Sequence, residues 1–364
     1  MTTFPVPAED LQRIDAWLGA DWEHLRGARI LITGGTGFIG IWLISSILAA
    51  DASHRLDLRI SVLTRSQARF RERVPELADH PHLAVIEGDV RDSVMGCADT
   101  THVIHAAAEA SAQLNAERPL EMIDTIVQGT RRMLEFACAC SVRRFLFVSS
   151  GAVYGRQPPG LSHITEDFRG GPDPLDAMAA YAEAKRLAEQ MCAAVARTRS
   201  LPVLIARCWA FVGPWLPLDT HFAAGNLIRD GLQGGPLVIR GDGTTERSYL
   251  YAADLAAWLC RILLRATPVR PYNVGSGRGL SIAALAEVVA GCSPAVGSGE
   301  RPRIDIRGMR QPGAHIDRYV PDVTRARTEL DLEVWTPLPE AVRMTIAWYR
   351  ARAKVASPHS EQGR

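Results

Sequence analysis

A short apolar run that ends in glycines and passes directly into a helix-spaced apolar stretch constrains this chain more than any other feature. It reads ARILITGGTGFIGIWLISSILAA, residues 28–50. Gly34, Gly37 and Gly40 form G-x-x-G-x-x-G between a predicted strand and a predicted helix. That context gives the pattern a mechanism: glycines let backbone approach a pyrophosphate closely, and a helix N-terminus offers free N–H groups with a partial positive charge. The loop therefore predicts a dinucleotide site, with Phe38 and Ile39 opening the helix beside the three glycines.

The following text alternates. LRISVLTR, HLAVIEGDV, THVIHAAA, RRFLFVSS and PVLIARCWAF read as strands, and LEMIDTIVQGTRRMLEFACACSV and residues 179–198 read as helices. Strands that alternate with helices in this way predict an α/β fold, a Rossmann-type doubly wound parallel sheet covered on both faces. After Gly213 the elements shorten and Gly and Pro become frequent, which predicts a smaller α+β C-terminal part. The expected organisation is an N-terminal helical extension at 1–27, with a helix near 9–25 that Trp17 and Trp22 pack down, followed by a dinucleotide-binding domain at 28–212. A substrate-binding part at 213–352, with some interchange of chain, and a polar tail at 353–364 complete it.

Bulk properties exclude several classes. The formal net charge is +1, so no basic field draws nucleic acid. No apolar run spans a bilayer and the N-terminus lacks a signal-peptide pattern, so the expected setting is cytoplasmic, away from membranes. Seven cysteines without a CxxC pair read as reduced, buried thiols, with no metal site.

The end of the second strand, Leu63-Thr64-Arg65-Ser66, has no acid to bond the ribose 2′-OH of NAD. Arg65 instead suits the 2′-phosphate of NADP, with a solvated charge or adenine stacking as alternatives. Asp89 in GDVRD, followed by Val90, stands where it meets the adenine or caps its own turn.

SSGAVYG, residues 149–155, ends the fifth strand, and YAEAK places Tyr181 and Lys185 one turn apart on a helix. A tyrosine with a free pKa near ~10 is a weak base at neutral pH. A lysine ammonium and an oxidised nicotinamide both favour its phenolate, and a serine hydroxyl can hold the substrate oxygen. Ser150, Tyr181 and Lys185 are the catalytic candidates.

On TGGTGFIG, GDVRD, HAAA, SSGAVYG, YAEAK, GDGTTERSYLYAADLA, YNVGSG and RQPGAHIDRYVPD, the chain resembles the extended short-chain dehydrogenase/reductases. Within them it is similar to the NAD(P)-dependent nucleotide-sugar epimerase/dehydratase group, over about residues 28–350. The resemblance implies NAD or NADP as cofactor, with Ala106 and Ala107 beside it, and makes Ser150, not Ser149, the catalytic hydroxyl. It implies a nucleotide-diphosphate sugar held by Asn226, Arg247 and Arg310, with Ser150 and Gly151 at the sugar. It also implies a homodimer through the helices near 120–140 and 179–198.

Related 4,6-dehydratases carry Asp-Glu after the catalytic hydroxyl, and related decarboxylases keep a glutamate there. This chain has Gly151 and Ala152, neither of which transfers a proton. The resemblance thus leads to a 4-epimerase acting through a transient ketone. A 4-ketoreductase consuming NADPH, a dinucleotide-sensing protein without turnover, and a dehydratase drawing acids from other loops are the alternatives. Residues 214–226 are expected to border the sugar as a lid, with His221 a packed or solvated loop residue. Trp209 is expected to shape the pocket, and Tyr249 and Tyr272 to pack. Ala210 and Ile126-Val127 stand where the family often has asparagines, which loosens any inference of sugar specificity.

Overall fold

The strands are apolar on both faces, and the structure shows why. In the computed structural model, which describes residues 3–92, 98–108, 112–220, 222–293, 301–311, 313 and 315–356, neighbouring strand residues enter different cores. Strands β1 (Arg29–Thr33), β2 (Arg59–Thr64), β3 (Leu83–Glu87), β4 (His102–His105), β5 (Arg144–Ser150) and β6 (Val203–Cys208) form one parallel sheet. A seventh strand, Pro271–Val274, adds beside β6, giving the order 271–274, β6, β5, β4, β1, β2, β3. Ile30, Ile32, Leu146 and Val148 face one core, which holds the helices Phe38–His54 and Ala252–Arg265. Leu31, Phe145 and Phe147 face the other, under the helices Pro119–Ala139 and Ala180–Arg199. Side chains alternate along a strand, so a sheet buried on both sides needs apolar residues at every position. The fold is the doubly wound α/β architecture expected, and its order reverses between β1 and β4, where such sheets bind ligands.

The N-terminal segment differs from the single helix expected. An α-helix covers Ala8–Leu18, Gly19 adopts φ +48°, and a 3-10 stretch follows at Gly19–Leu25. The positive φ, easy for glycine, turns the chain so that Trp22 is fully buried, while Trp17 lies edge-on to Trp335 at 4.9 Å.

Beyond β6, short strands build three small sheets. The one that matters for the site places Glu246–Ser248 between Gly279–Ser281 and Arg318–Tyr319. Asn273, in the seventh strand of the main sheet, donates through Nδ2 to the carbonyls of Ile164 and Asp322, tying this part to the sheet. Among the described residues no helix is long and apolar enough to cross a membrane, and no group of side chains could hold a metal ion.

Candidate active site

The glycine loop divides into packing and open positions. Gly34 has φ +71°, and a Cβ there would lie 2.5 Å from the Ala106 carbonyl oxygen. A Cβ on Gly40 would lie 2.4 Å from the Gly34 oxygen. These two glycines are required by backbone packed against backbone. Gly37 is different: only the Gly34 oxygen comes near its missing Cβ, at 3.4 Å. Gly37 also precedes the helix without a side-chain cap, so the N–H groups of Phe38, Ile39 and Gly40 lack partners four residues back. An open cradle of uncapped N–H groups at a positive helix end fits a pyrophosphate.

Ala106 and Ala107 are fixed against this loop by a buried chain that the sequence reading did not identify. Ala107 N–H donates to Thr33 Oγ1 at 3.2 Å, Thr33 Oγ1 lies 2.7 Å from His105 Nδ1, and His105 Nε2 lies 3.1 Å from Thr130 Oγ1. Burial, with Lys185 adding to it, pushes His105 down to about 3, so the imidazole is neutral.

At the adenosine end, Arg65 is exposed just after β2. Asp89 accepts from Arg91 through Nε and Nη2, both at 2.9 Å, and through the Arg91 backbone N–H. Those bonds hold its carboxyl below the usual range, with Arg65 contributing less. Asp89 therefore closes its own turn, one of the two expected roles. The Val90 side chain packs in the core above Gly129.

Ser150 ends β5, and its Oγ accepts the Ala152 N–H at 3.1 Å. The phenols of Tyr181 and Tyr319 lie near it, and the Ser150 hydroxyl works to lower both against the burial that raises them. Tyr181 opens the helix Ala180–Arg199, where its N–H donates to Asn115 Oδ1 at 3.0 Å. Lys185 stands one turn on, with Nζ donating to the Val148 carbonyl at 2.7 Å and lying 4.8 Å from the Phe147 ring centre. Burial pushes Lys185 down to about 8 and Tyr181 up to about 12, the Ser150 hydroxyl working against the second shift. In the protein by itself desolvation of the phenolate dominates at Tyr181, and Lys185 is not among the groups that shift it. Cys208, opposite Ser150 in register, is pushed up to about 12 by burial and stays neutral.

Ser149 points away. Its Oγ donates to Glu189 Oε1 at 2.5 Å, and Glu189 also accepts from Arg207 through Nε and Nη2. Arg207 Nη1 donates to Tyr154 Oη, which donates to Asn273 Oδ1, each at 2.9 Å. Trp209 Nε1 donates to the same Asn273 oxygen, and its ring lies 4.2 Å from that of Tyr319. Trp209 thus packs beside Ser150's neighbour Gly151 and against Tyr319. Gly151 faces it: a Cβ there would lie 2.6 Å from Tyr319 Oη and 2.7 Å from the Trp209 ring.

Of the three expected phosphate contacts, Arg247 reaches this cluster. It pairs with Tyr319 in strand register, its Cζ lies 5.8 Å from the Tyr319 ring centre, and its Nη2 donates to Asp317 at 2.7 Å. Arg310 is exposed and contributes to lowering the Asp242 carboxyl, after the bonds Asp242 accepts from Thr244. Asn226 Oδ1 accepts from Arg229 at 3.3 Å. Among the described residues no hydrogen bond joins Arg310 or Asn226 to the Ser150 cluster. The segment 214–226 is anchored at its start, where Trp215 is buried and donates to the Pro5 carbonyl at 2.9 Å. His221 lies outside the described residues. Tyr249 and Tyr272 are packed as expected, Tyr272 with its hydroxyl on Glu329. Tyr319 is the residue that sequence reasoning missed. It sat inside the quoted RQPGAHIDRYVPD motif, but only strand pairing with Arg247 brings it to Ser150.

A seven-stranded parallel sheet, a glycine cradle at its switch point and a serine–tyrosine–lysine cluster define a nicotinamide-dependent enzyme of the short-chain type. The profile described as the NAD dependent epimerase/dehydratase family matches residues 30–275, and the chain belongs to that family. It is 27% identical over 327 residues to UDP-glucuronic acid decarboxylase 6 of Arabidopsis thaliana, covering 90% of each chain. It is 30% identical over 301 residues to the low-salt glycan biosynthesis protein Agl12 of Haloferax volcanii, covering 82% of this chain and 91% of that one. Among solved structures it is similar to DesIV, a dTDP-glucose 4,6-dehydratase of Streptomyces venezuelae with NAD and TYD bound. The TM-score is 0.74 at 27% identity, covering 91% of this chain and 99% of that one. A UDP-glucose 4-epimerase of Thermotoga maritima has the same fold, with a TM-score of 0.73 at 22% identity, covering 89% and 99%.

Proposed function

We propose that this nucleotide-sugar-modifying enzyme is a 4-epimerase. One observation carries the reading: the two positions after the candidate catalytic Ser150, Gly151 and Ala152, carry no acid, which leaves Ser150, Tyr181 and Lys185 as the proton-transfer set. Such a site can move a hydride and one proton. It lacks at those positions the groups that dehydratases use to expel water.

A bound nicotinamide would supply the hydride acceptor and donor, with Gly37 and the N–H groups of Phe38, Ile39 and Gly40 at its pyrophosphate. Ser150 Oγ would hold the sugar's C4 oxygen and Tyr181 Oη would take its proton. Lys185, beneath both, would favour the phenolate once positive charge stands nearby. Trp209 and Tyr319 would wall the ring, and Arg247 would meet the diphosphate, with Arg310 and Asn226 joining from their own segments. The transient 4-keto sugar would turn over and recover its hydride on the other face, the Tyr181 proton returning to the oxygen. A homodimer through the helices Pro119–Ala139 and Ala180–Arg199 belongs to the same reading. It is supported by Leu120 and Leu187, 75% and 48% exposed on those helices.

A second reading, an NADPH-dependent 4-ketoreductase, is favoured by Arg65 in place of an acid after β2. The two separate on bound cofactor: retained NAD(H) supports the epimerase, and an empty site that takes NADPH supports the reductase. The decisive assay incubates the protein and NAD+ with UDP-glucose, dTDP-glucose and UDP-glucuronic acid, and reads products by mass and NMR. An isomer of unchanged mass is expected. Loss of carbon dioxide, as the named plant relatives would produce, or loss of water would overturn the epimerase reading.

A further inference from the structure

An arginine carries only donors, five N–H groups in a planar fork. At Arg247 three of them are engaged: Nη1 donates to the Glu246 carbonyl at 2.8 Å and to the Asp317 carbonyl at 3.3 Å, and Nη2 donates to Asp317 Oδ2 at 2.7 Å. Among the described residues nothing accepts from Nε–H or from the second Nη2–H. Those groups lie side by side on one edge of the guanidinium, and such an edge takes two oxygens of a phosphate at once.

We propose that Asp317 is a positioning residue for the nucleotide end of the substrate: by taking the end-on edge of Arg247 it presents the side-on edge, Nε–H and Nη2–H, to the diphosphate. The proposal rests on the reading above, in which Arg247 meets the diphosphate. Asp317 acts only through the guanidinium and moves no proton.

The strands leave Asp317 free for this task. Arg318 and Tyr319 pair in register with Glu246 and Arg247. Glu246, the other carboxylate on these two strands, is taken by Arg318, whose Nε donates to its Oε2 at 2.7 Å. The Asp317 carbonyl is fixed by the Glu246 N–H at 2.8 Å. The remaining cation near the Asp317 carboxylate is Arg156, 3.8 Å away and 79% exposed, so Arg247 is the close partner.

Paired residues of neighbouring strands share a face of the sheet, so Arg247 lies on the side of Tyr319. Tyr319 Oη lies 2.6 Å from where a Cβ of Gly151 would stand, which puts that face toward the end of β5. Arg247 keeps 28% of its side chain exposed, so a ligand can reach its open edge.

A carboxylate beside an anion site opposes the anion by charge alone. That sets a sign. If Asp317 acted only through its charge, removing it would tighten a diphosphate. If it orients Arg247, removing it loosens one.

The test reads binding and needs no turnover. NAD+-loaded protein is titrated calorimetrically with UDP, dTDP, ADP, GDP and CDP, and the tightest is carried forward. Arg247→Ala should weaken it by about 30-fold or more, and Arg247→Lys nearly as much, since a lysine has no fork. Asp317→Ala should weaken it about tenfold, although the site becomes more positive. Asp317→Asn keeps an acceptor oxygen for Nη2 and sheds the charge, so it should bind within about threefold of the parent or more tightly. In an Arg247→Ala background, Asp317→Ala should cost nothing further, since the effect passes through the guanidinium.

If Arg247→Ala weakens binding while Asp317→Ala binds as tightly as the parent or more tightly, the proposal is overturned and charge alone describes Asp317. An equal loss from Asp317→Ala in both backgrounds also overturns it, since that is a general disturbance of the strand. So does an Asp317→Asn protein as weak as Asp317→Ala, because the acceptor is then not what orients the guanidinium. If Arg247→Ala leaves affinity unchanged, or none of the nucleotides binds, the diphosphate reading fails and the proposal falls with it. If binding follows the expected pattern but no sugar is epimerised, the 4-epimerase reading fails and Asp317 keeps its role.

Discussion

The hydroxyl of Ser149 and the carboxylate of Glu189 lie 2.5 Å apart, and that bond separates two adjacent serines into different jobs. Strand alternation sends Ser149 to the Glu189–Arg207 pair and Ser150 to the phenols. Ser150→Ala should therefore lower turnover by about 100-fold or more, the scale for removing one positioned hydrogen-bond donor. Ser149→Ala should leave turnover within a few-fold and cost about 1 kcal/mol of stability. Steady-state kinetics and urea unfolding on both variants check this; equal losses of turnover would refute the division.

Glu189 is more than a partner for Ser149. It takes a two-pronged ion pair from Arg207, and both side chains are largely buried, at 11% and 15% exposure. Removing one member strands the other charge. Glu189→Gln should destabilise the protein by about 3 kcal/mol, the usual cost of breaking a buried pair. Differential scanning calorimetry at neutral pH measures it, and an unchanged Tm would show that the guanidinium finds other acceptors.

The sheet was legible because its chemistry is local. Two-faced apolar strands, a glycine turn and amphipathic helices each declare themselves within a few residues. Ser150, Tyr181 and Lys185 could be placed as candidates for the same reason, since the serine closes a strand and the other two share a helix face. Tyr319 was not, because its place depends on a two-residue strand pairing with Arg247 far along the chain. Nor was the break at Gly19, where one positive φ overrides a helix-like text. The burial that raises Tyr181 in the protein without cofactor was not legible either, because sequence gives neighbours and not desolvation.

His105 gives the protein a pH dependence. The unfolded imidazole binds a proton below its free pKa of 6.5, while the folded one resists until about 3. Between those values the unfolded state holds more protons, so stability falls as pH falls. His102, pushed down to about 4 by burial, acts in the same direction. Replacing His105 by Gln should flatten the loss by roughly 1 kcal/mol per pH unit below about pH 6. Urea midpoints from neutral pH downward would show it; an unchanged slope would mean that the buried imidazole does not titrate on unfolding.

The glycines of the loop should separate in the same way as their surroundings do. Gly34→Ala and Gly40→Ala would drive a Cβ to 2.5 Å and 2.4 Å of backbone oxygens, so both should lower Tm and reduce folded yield. Gly37→Ala meets only an oxygen at 3.4 Å and should fold normally. Its methyl would instead stand in the cradle, and dinucleotide affinity should drop at least tenfold, about 1.4 kcal/mol. Thermal melts and NADH fluorescence titration distinguish the two groups. A Gly37→Ala protein that binds cofactor normally would move the pyrophosphate away from this turn.

Gly151→Asp is the change that a comparison with dehydratases would suggest, and the structure argues that it fails. The new Cβ would lie 2.6 Å from Tyr319 Oη and 2.7 Å from the Trp209 ring, before any carboxylate is placed. Trp209 is fixed by Asn273, whose amide is itself held by Ile164 and Asp322, so the wall cannot retreat cheaply. The variant should therefore lose turnover and stability together, by about 1–3 kcal/mol as for other overpacked sites, without releasing water from any sugar nucleotide. Tyr319→Phe in the same chain removes the nearer clash and should recover part of the stability but no dehydration. Mass analysis of the products decides it: a water-loss product from Gly151→Asp alone would mean that the pocket yields at Tyr319, and that residue 151 by itself sets the reaction.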